Sequence, residues 1–132
     1  AEIAAVDPDA IVLQLPRGGF DASTRDEAMK AMVLADDVHA DVAGVPARFM
    51  VEVARITAEV AGELANVSVP LLALHGTADR MADPARSVAL VEEAASADKT
   101  LHLVEGGWHA LLRDIDRHEV EDLIVAWINA RS

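Results

Sequence analysis

The chain has 132 residues, 52% of them hydrophobic and 3% aromatic, which fits one compact unit or a piece of one. Its 23 acidic and 11 basic residues give a formal net charge of -12, which disfavours binding to nucleic acid or to anionic membranes. Because cysteine is absent, disulfides and thiolate metal sites are excluded. No apolar run approaches the roughly 20 residues of a membrane-spanning helix. A cytoplasmic location is the default expectation, with peripheral membrane contact left open.

The first half of the chain is predicted to be mostly helical. Residues 10–15 form a short apolar run ended by a proline, and this pattern fits a strand and the end of a helix equally well. A helix is predicted to follow, with Ser23 or Thr24 as its cap and with acidic residues in its first turn. Its end is expected near Asp36 and Asp37.

A longer helix is predicted after the break at residues 44–46, with Asn66 as a plausible stop. Apolar residues recur along it at helical spacing, at Phe49, Val53, Ile56, Val60 and Leu64. Such a stripe is far more typical of packing against a neighbouring element than of a cofactor-binding site.

The second half predicts strand, helix, strand and helix. Residues 71–75 are a continuous apolar run closed by Gly76, which is typical of a strand in a parallel sheet. Asp83 and Pro84 predict the start of a helix that runs to Ser96. The order of elements predicts an α/β unit with a right-handed crossover.

The end of the chain completes this unit. Thr100–Val104 is predicted to be the second strand, and the glycine pair that follows it predicts a turn before Trp108. Asp116 with Glu119 three residues later resembles a capping box, which predicts that the last helix begins there.

Two polar residues, Asp79 and His109, follow the ends of the two predicted strands. Neighbouring parallel strands open their loops at the same edge of a sheet, so these side chains can meet. A carboxylate bonded to one imidazole nitrogen fixes the tautomer, and the other nitrogen can then take a proton from a hydroxyl group. Position alone does not decide the matter, because loop aspartates are usually turn residues and loop histidines are usually surface groups.

A resemblance to a known family favours the catalytic interpretation. The stretches VPLLALHGTADRMADP and KTLHLVEGGWHALL resemble the end of an α/β-hydrolase of the monoacylglycerol lipase and lysophospholipase type, which is serine aminopeptidase S33-like. The resemblance implies that Asp79, in Gly76-x-x-Asp79, is the acid of a catalytic triad. It implies that His109, 30 residues later, is the base.

The resemblance also extends toward the N-terminus. The stretches LPRGGFDASTRDEA and DDVHADVAGVPARF resemble the lid that such enzymes insert before the penultimate strand. This implies a partial α/β-hydrolase fold, in which a helical lid precedes the last two strands of a parallel sheet with flanking helices. Residues 1–66 are expected to be the mostly helical lid or cap region, and residues 67–132 the C-terminal α/β core segment.

Other candidate residues are weaker. If the family arrangement holds, Met81 and Ala110 are candidates for lining an acyl pocket, although ordinary packing explains them equally well. His75 is expected to be a packed or hydrogen-bonded core histidine, and capping alone explains Asp83. No cofactor is implied. A metal site is not expected, because the spacing of His102, His109 and His118 does not suit one.

The family's nucleophile, a serine in G-x-S-x-G on a strand-to-helix turn, is not found in this sequence. None of the serines has the flanking glycines of this motif; they are Ser23, Ser68, Ser87, Ser96 and Ser132. Because the family order is Ser, Asp, His, the nucleophile is expected upstream of residue 1, and the lack of an initiator methionine fits a longer gene product. The chain alone is expected to be inactive. Because two strands make a marginal sheet, it is also expected to be poorly stable unless the missing N-terminal part or self-association completes it.

Three hypotheses about function follow. The leading one is a serine hydrolase acting on small-molecule carboxylic esters such as monoacylglycerols or lysophospholipids. The second is a non-catalytic binding or regulatory module that kept the end of the fold and lost its nucleophile. The third keeps hydrolysis but replaces the serine with an upstream aspartate, as in dehalogenases and epoxide hydrolases, and the lid resemblance argues mildly against it.

Overall fold

The computed structural model of the chain describes residues 7–14, 23–36 and 44–132. The helices in these ranges are α1 (Glu27–Ala35), α2 (Ala47–Glu63), α3 (Pro84–Glu93) and α4 (Arg117–Asn129). The strands are β1 (Ile11–Leu13), β2 (Val45–Pro46), β3 (Leu71–Gly76) and β4 (Lys99–Val104). Short 3-10 turns lie at Leu64–Asn66 and Leu111–Arg113.

The strands β3 and β4 form a parallel pair, in register from Leu71 opposite Lys99 to Gly76 opposite Val104. Parallel neighbours need a crossover connection, and α3 supplies it. Asp83 caps α3 by accepting a hydrogen bond from the Ala85 N–H at 2.9 Å. The predicted order of strand, helix, strand and helix is therefore confirmed, and both strands end at the same edge, where their loops begin.

The predicted end of α3 is wrong by a few residues. The helix ends at Glu93 rather than at Ser96, and the Ala94 N–H closes it by bonding to the Leu90 carbonyl. Ser96 is buried, and its hydroxyl donates to the Asp98 carbonyl at 2.9 Å. The serine therefore belongs to the turn that leads into β4.

The N-terminal apolar run forms a strand. Ile11 pairs with Pro46 and Leu13 with Val45, so that β1 and β2 are a short antiparallel pair. The pairing settles the choice between strand and helix end that the sequence left open. The Ala47 N–H continues the contact by donating to the Ala10 carbonyl at 2.8 Å.

The predicted cap of α1 is wrong. Asp26 caps the helix by accepting bonds from the backbone N–H groups of Ala28 and Met29 at 2.9 and 3.2 Å. Ser23 and Thr24 are instead buried against another part of the chain. The helix ends at Ala35, close to the expected position, although residue 37 lies outside the described ranges.

The predicted apolar stripe of α2 exists but is exposed. Phe49, Val53, Ile56 and Val60 are each 41–55% exposed. In the part of the chain that the structure describes, this stripe therefore faces solvent, and the expected packing against a neighbouring element is not met there. On another side of the helix, Arg55 pairs with Glu59 at 2.6 Å.

The capping box predicted for α4 is also wrong. The helix starts after Asp116 as expected, but the Asp116 side chain makes no cap hydrogen bond. It pairs with Arg25 at 2.6 Å instead. At its other end α4 packs against β4, where the Trp127 indole N–H donates to the Thr100 hydroxyl at 3.2 Å.

Candidate active site

The loops after β3 and β4 meet through two glycines. A Cβ added to Gly76 would lie 2.1 Å from the carbonyl oxygen of Gly107, so that no larger residue fits there without a shift. The Gly107 carbonyl also accepts a bond from the Ala78 N–H at 3.0 Å. On the other side, the Thr77 hydroxyl accepts a bond from the Gly106 N–H at 2.8 Å. The two loops are therefore locked together at the edge where Asp79 and His109 lie.

Asp79 is buried and its carboxylate is fully engaged. Its side chain is 2% exposed, and Oδ2 lies 2.9 Å from Nδ1 of His109. Oδ1 accepts bonds from the backbone N–H groups of Met81 and Ala82 at 2.7 and 3.1 Å. Burial on its own raises the pKa of Asp79, but the bonds from His109, Met81 and Ala82 outweigh it and hold the pKa below its ordinary value. The carboxylate is therefore ionised at neutral pH.

This contact sets the tautomer of His109. An ionised carboxylate can only accept, so Nδ1 carries the proton and donates it to Asp79. In the neutral ring, Nε2 is then left with its lone pair and can act as a base. The His109 side chain is 43% exposed and lines a pocket, so its position allows contact with another molecule.

The pocket beside His109 has a volume of about 450 Å³. Three apolar side chains of α1, from Met29, Met32 and Val33, line one wall of it, and Ala110 lies next to His109. The structure therefore brings Ala110 to the pocket, as the sequence suggested. Met81 is 49% exposed and contributes its N–H to Asp79, but it is not among the residues that line this pocket.

His75 is hydrogen-bonded, as expected, and it also contacts Asp79, which sequence reasoning missed. Its Nε2 lies 3.1 Å from Oδ2 of Asp79 and 3.4 Å from the Ala82 carbonyl, and its Nδ1 lies 2.7 Å from the Ser87 hydroxyl. Because both neighbours of Nε2 are acceptors, we assign the proton to Nε2, and Ser87 then donates to Nδ1. The signal in the sequence was a polar residue at the end of an otherwise apolar strand, at the same edge as Asp79.

Asp114 is a second buried carboxylate near the site, and no pattern in the sequence predicted its position there. Its side chain is 1% exposed and accepts a bond from the Trp108 N–H at 3.0 Å. Burial tends to raise the pKa of Asp114, but hydrogen bonds from the Arg25 side chain and from the backbone lower it to about 2. Asp114 therefore also carries a charge at neutral pH.

Among the described residues, two further histidines do not join the site. His118 pairs with Glu121 at 3.0 Å on the surface of α4, and His102 is exposed on β4. Among the described residues, no group of three or more His, Asp or Glu side chains is arranged to hold a metal ion. In the same ranges, no helix has the length and apolar character needed to cross a bilayer.

Comparison with known proteins gives the family. A protein-family model described as serine aminopeptidase, S33 matches residues 8–116, which is most of the chain. The chain belongs to the serine aminopeptidase S33 family. The resemblance to α/β-hydrolases of this type is thereby confirmed.

Curated S33-like relatives are similar over parts of the chain. Caffeoylshikimate esterase from Arabidopsis thaliana is 42% identical over 64 residues, which are 48% of this chain and 19% of the relative. Monoglyceride lipase from Homo sapiens is 33% identical over 92 residues, which are 68% of this chain and 30% of the relative. The chain thus spans less than a third of the length of these relatives.

A solved structure supports the fold. The monoacylglycerol lipase from Paleococcus ferrophilus superposes with a TM-score of 0.77 at 24% identity, covering 99% of this chain and 50% of that one. The predicted partial α/β-hydrolase fold is confirmed by this likeness, and the S33 chain corresponds to about half of that structure.

Proposed function

We propose that this chain is the acid- and base-bearing part of a serine hydrolase that cleaves carboxylic esters. The observation that carries the proposal is the contact between Asp79 Oδ2 and His109 Nδ1 at 2.9 Å, in which the acid is buried and the base lines a pocket. This is the arrangement in which an imidazole can take a proton from a serine hydroxyl. Family membership supports a serine rather than an aspartate as the proposed nucleophile.

In the proposed reaction, Nε2 of His109 removes the proton of the serine hydroxyl as its oxygen attacks the ester carbonyl. The resulting imidazolium then protonates the leaving alcohol, and an acyl-enzyme remains. In the second half of the reaction, His109 activates water, which releases the acid and regenerates the serine. Throughout, Asp79 orients the ring and stabilises its positive charge.

The proposed substrates are monoacylglycerols or lysophospholipids. The monoglyceride lipase name of a relative and the apolar wall formed by Met29, Met32 and Val33 support this class, because an acyl chain needs an apolar surface. We propose that residues 1–66 are the lid region and that α1, which belongs to it, forms the wall of the acyl pocket. Ala110 is proposed to contact substrate directly, and Met81 to lie at the margin of the site.

The nucleophile is proposed to come from outside these 132 residues, so that the chain by itself is inactive. None of its serines has the flanking glycines of the G-x-S-x-G turn. The test is labelling with a fluorophosphonate probe, applied to this chain and to a version extended upstream in the coding sequence. We expect the extended protein to be labelled at a serine beyond the 132 residues.

A matched control sharpens the test. His109→Ala in the extended protein should abolish labelling, and His102→Ala, an exposed histidine on β4, should not. Lack of labelling in the extended protein would point to a non-catalytic module or to an aspartate nucleophile. Labelling of a serine within the 132 residues would overturn the proposed origin of the nucleophile.

A further inference from the structure

The backbone on one side of His109 is held by Asp114, and the backbone on the other side is held by the segment that precedes α1. The N–H of Trp108 donates to Oδ2 of Asp114 at 3.0 Å, and the N–H of Ala110 donates to the carbonyl of Ser23 at 2.7 Å. His109 lies in a loop outside any helix or strand, so neighbouring elements must fix its position. The two residues that flank His109 are therefore both held by hydrogen bonds from their backbone N–H groups.

Asp114 joins the two segments. Its Oδ1 accepts a bond from the Arg25 N–H at 2.7 Å and its Oδ2 accepts one from Arg25 Nε at 2.9 Å. The Thr24 hydroxyl lies 3.3 Å from Oδ1 and donates to the Arg113 carbonyl at 2.7 Å. A single buried carboxylate thus binds the backbone beside His109 and both the backbone and the side chain of Arg25.

Further contacts extend the connection to α1. Arg25 also pairs with Asp116 at 2.6 Å, and Arg117 pairs with Asp26, the cap of α1, at 2.7 Å. In addition, the ammonium of Lys30 in α1 lies 5.5 Å from the centre of the Trp108 ring, within cation–π range. The start of α1 and the loop of His109 therefore form one connected unit.

We infer that Asp114 and Arg25 form a clamp that positions His109 and links it to the α1 wall of the pocket. The inference deepens the proposed function, on which it rests in taking His109 as the general base. Neither residue touches the reacting atoms, so both are positioning residues. The clamp matters because a catalytic side chain must be held within about 0.5 Å of its productive geometry, and a loop needs supporting contacts to reach that precision.

The clamp is tested by Asp114→Asn in the protein extended upstream in the coding sequence, with the NMR signal of the His109 Nδ1 proton as the readout. We expect this proton to exchange with solvent about tenfold faster, because the loop loses a charged acceptor. The methyl signals of Met29 and Met32 should shift in the same variant. Far-UV circular dichroism should stay unchanged.

The matched control is Asp98→Asn, which also removes one negative charge. Asp98 accepts two hydrogen bonds from the Arg131 side chain, each of 2.6 Å. It directly precedes β4, whereas the His109 loop follows the strand's other end. Asp98→Asn should leave the exchange rate of the His109 Nδ1 proton unchanged. If both variants change that proton equally, a general loss of stability explains the effect and the clamp is refuted. An unchanged proton in a folded Asp114→Asn variant also refutes it.

Arg25→Gln decides the case in which Asp114→Asn fails to fold. This variant keeps the Asp114 carboxylate that accepts from the Trp108 N–H, but it removes the guanidinium that binds Asp114 and Asp116. Exchange of the His109 Nδ1 proton should again become faster, by a smaller factor. No acceleration there overturns the clamp. Because the readout does not involve hydrolysis, failure of the clamp and failure of fluorophosphonate labelling are separate results.

Discussion

Single residues in this chain show how a carboxylate can be both buried and ionised. The side chains of Asp79 and Asp114 are almost inaccessible, and desolvation alone would raise the pKa of each. The pKa of each is lowered instead, because several N–H groups donate hydrogen bonds to it. Asp79 accepts from His109 and the backbone, and Asp114 accepts from Arg25 and the backbone. The lowered pKa of Asp79 matters for the proposed function, because only the ionised form holds the His109 tautomer.

Asp79→Asn is predicted to cripple the extended enzyme. An asparagine can donate its amide N–H to Nδ1, which favours the wrong tautomer of His109, and the expected loss in the rate of ester hydrolysis is about 10⁴-fold. The rate of fluorophosphonate labelling should fall in parallel. Asp83→Asn is the control, because Asp83 caps α3 and an asparagine caps equally well. A loss of less than tenfold for Asp79→Asn would contradict the proposed role.

Asp114 predicts how stability depends on pH. Its pKa is lowered from 3.8 to about 2 in the folded chain, so its contribution is fully present above the unfolded value and is lost as pH falls through the folded one. The shift corresponds to about 2 kcal/mol in the free energy of unfolding. Urea denaturation from pH 6 to pH 2 should therefore show a gap between the wild type and Asp114→Asn that narrows as the pH falls. A constant gap would show that the charge of Asp114 does not stabilise the fold.

At the scale of elements, the site depends on how closely two loops approach. Gly76 ends β3 with its Cα against the backbone of Gly107, and this contact brings the Asp79 loop to the His109 loop. Gly106 assists with a φ of 67°, which favours glycine. The parallel register of β3 and β4 sets the level at which the loops meet.

Gly76→Ala is predicted to separate the loops. The added methyl group would meet backbone atoms that cannot move aside cheaply, and the expected cost is about 1–3 kcal/mol or more in the free energy of unfolding. The His109 Nδ1 proton signal should weaken with it.

Gly62→Ala is the matched control for this prediction. Apart from its chain neighbours and the backbone of its own helix, nothing lies within 4 Å of a Cβ built at Gly62, which belongs to α2. There the change should stabilise the chain by about 0.5–1 kcal/mol through helix propensity. Chemical denaturation of both variants checks the difference, and equal effects would contradict the role given to Gly76.

At the scale of the whole molecule, the described part of the chain buries few apolar side chains. The buried hydrophobic residues in this part are few and have small side chains; they are Ala47, Ala73, Ala94 and Val120. The stripe of α2 that contains Phe49 and Ile56 is exposed, and the free edge and faces of a two-stranded sheet add to such surface. We therefore expect the chain on its own to associate with itself despite its net charge of -12.

Ile56→Glu is predicted to weaken this association at least tenfold, because a charge in an apolar contact is costly and burial of a side chain of this size contributes about 1.5–3 kcal/mol. Sedimentation velocity over a range of concentrations measures the effect. Ala58→Glu adds the same charge on the opposite, exposed side of α2 and should change little. Equal effects of the two variants would show that the apolar stripe is not the contact surface.

The sequence by itself determined the local features of this protein. Each element of the C-terminal unit was predictable from a signal that spans only a few residues. An apolar run predicted β3, Asp-Pro predicted the start of α3, and a second short run predicted β4. The contact between Asp79 and His109 was predictable because each follows a strand of the same parallel pair. The family itself also followed from these short stretches.

Only the tertiary structure decided how distant segments use their polar groups. Thr24 and Asp116 have the chemistry of helix caps, yet both bind partners about 90 residues away in the chain, and local rules do not contain such contacts. The same holds for Asp114 and for His75, whose roles depend on which loops meet. The residues proposed as acid and base were visible in the sequence, whereas the contacts that hold them required the fold, because hydrogen bonds form between neighbours in space.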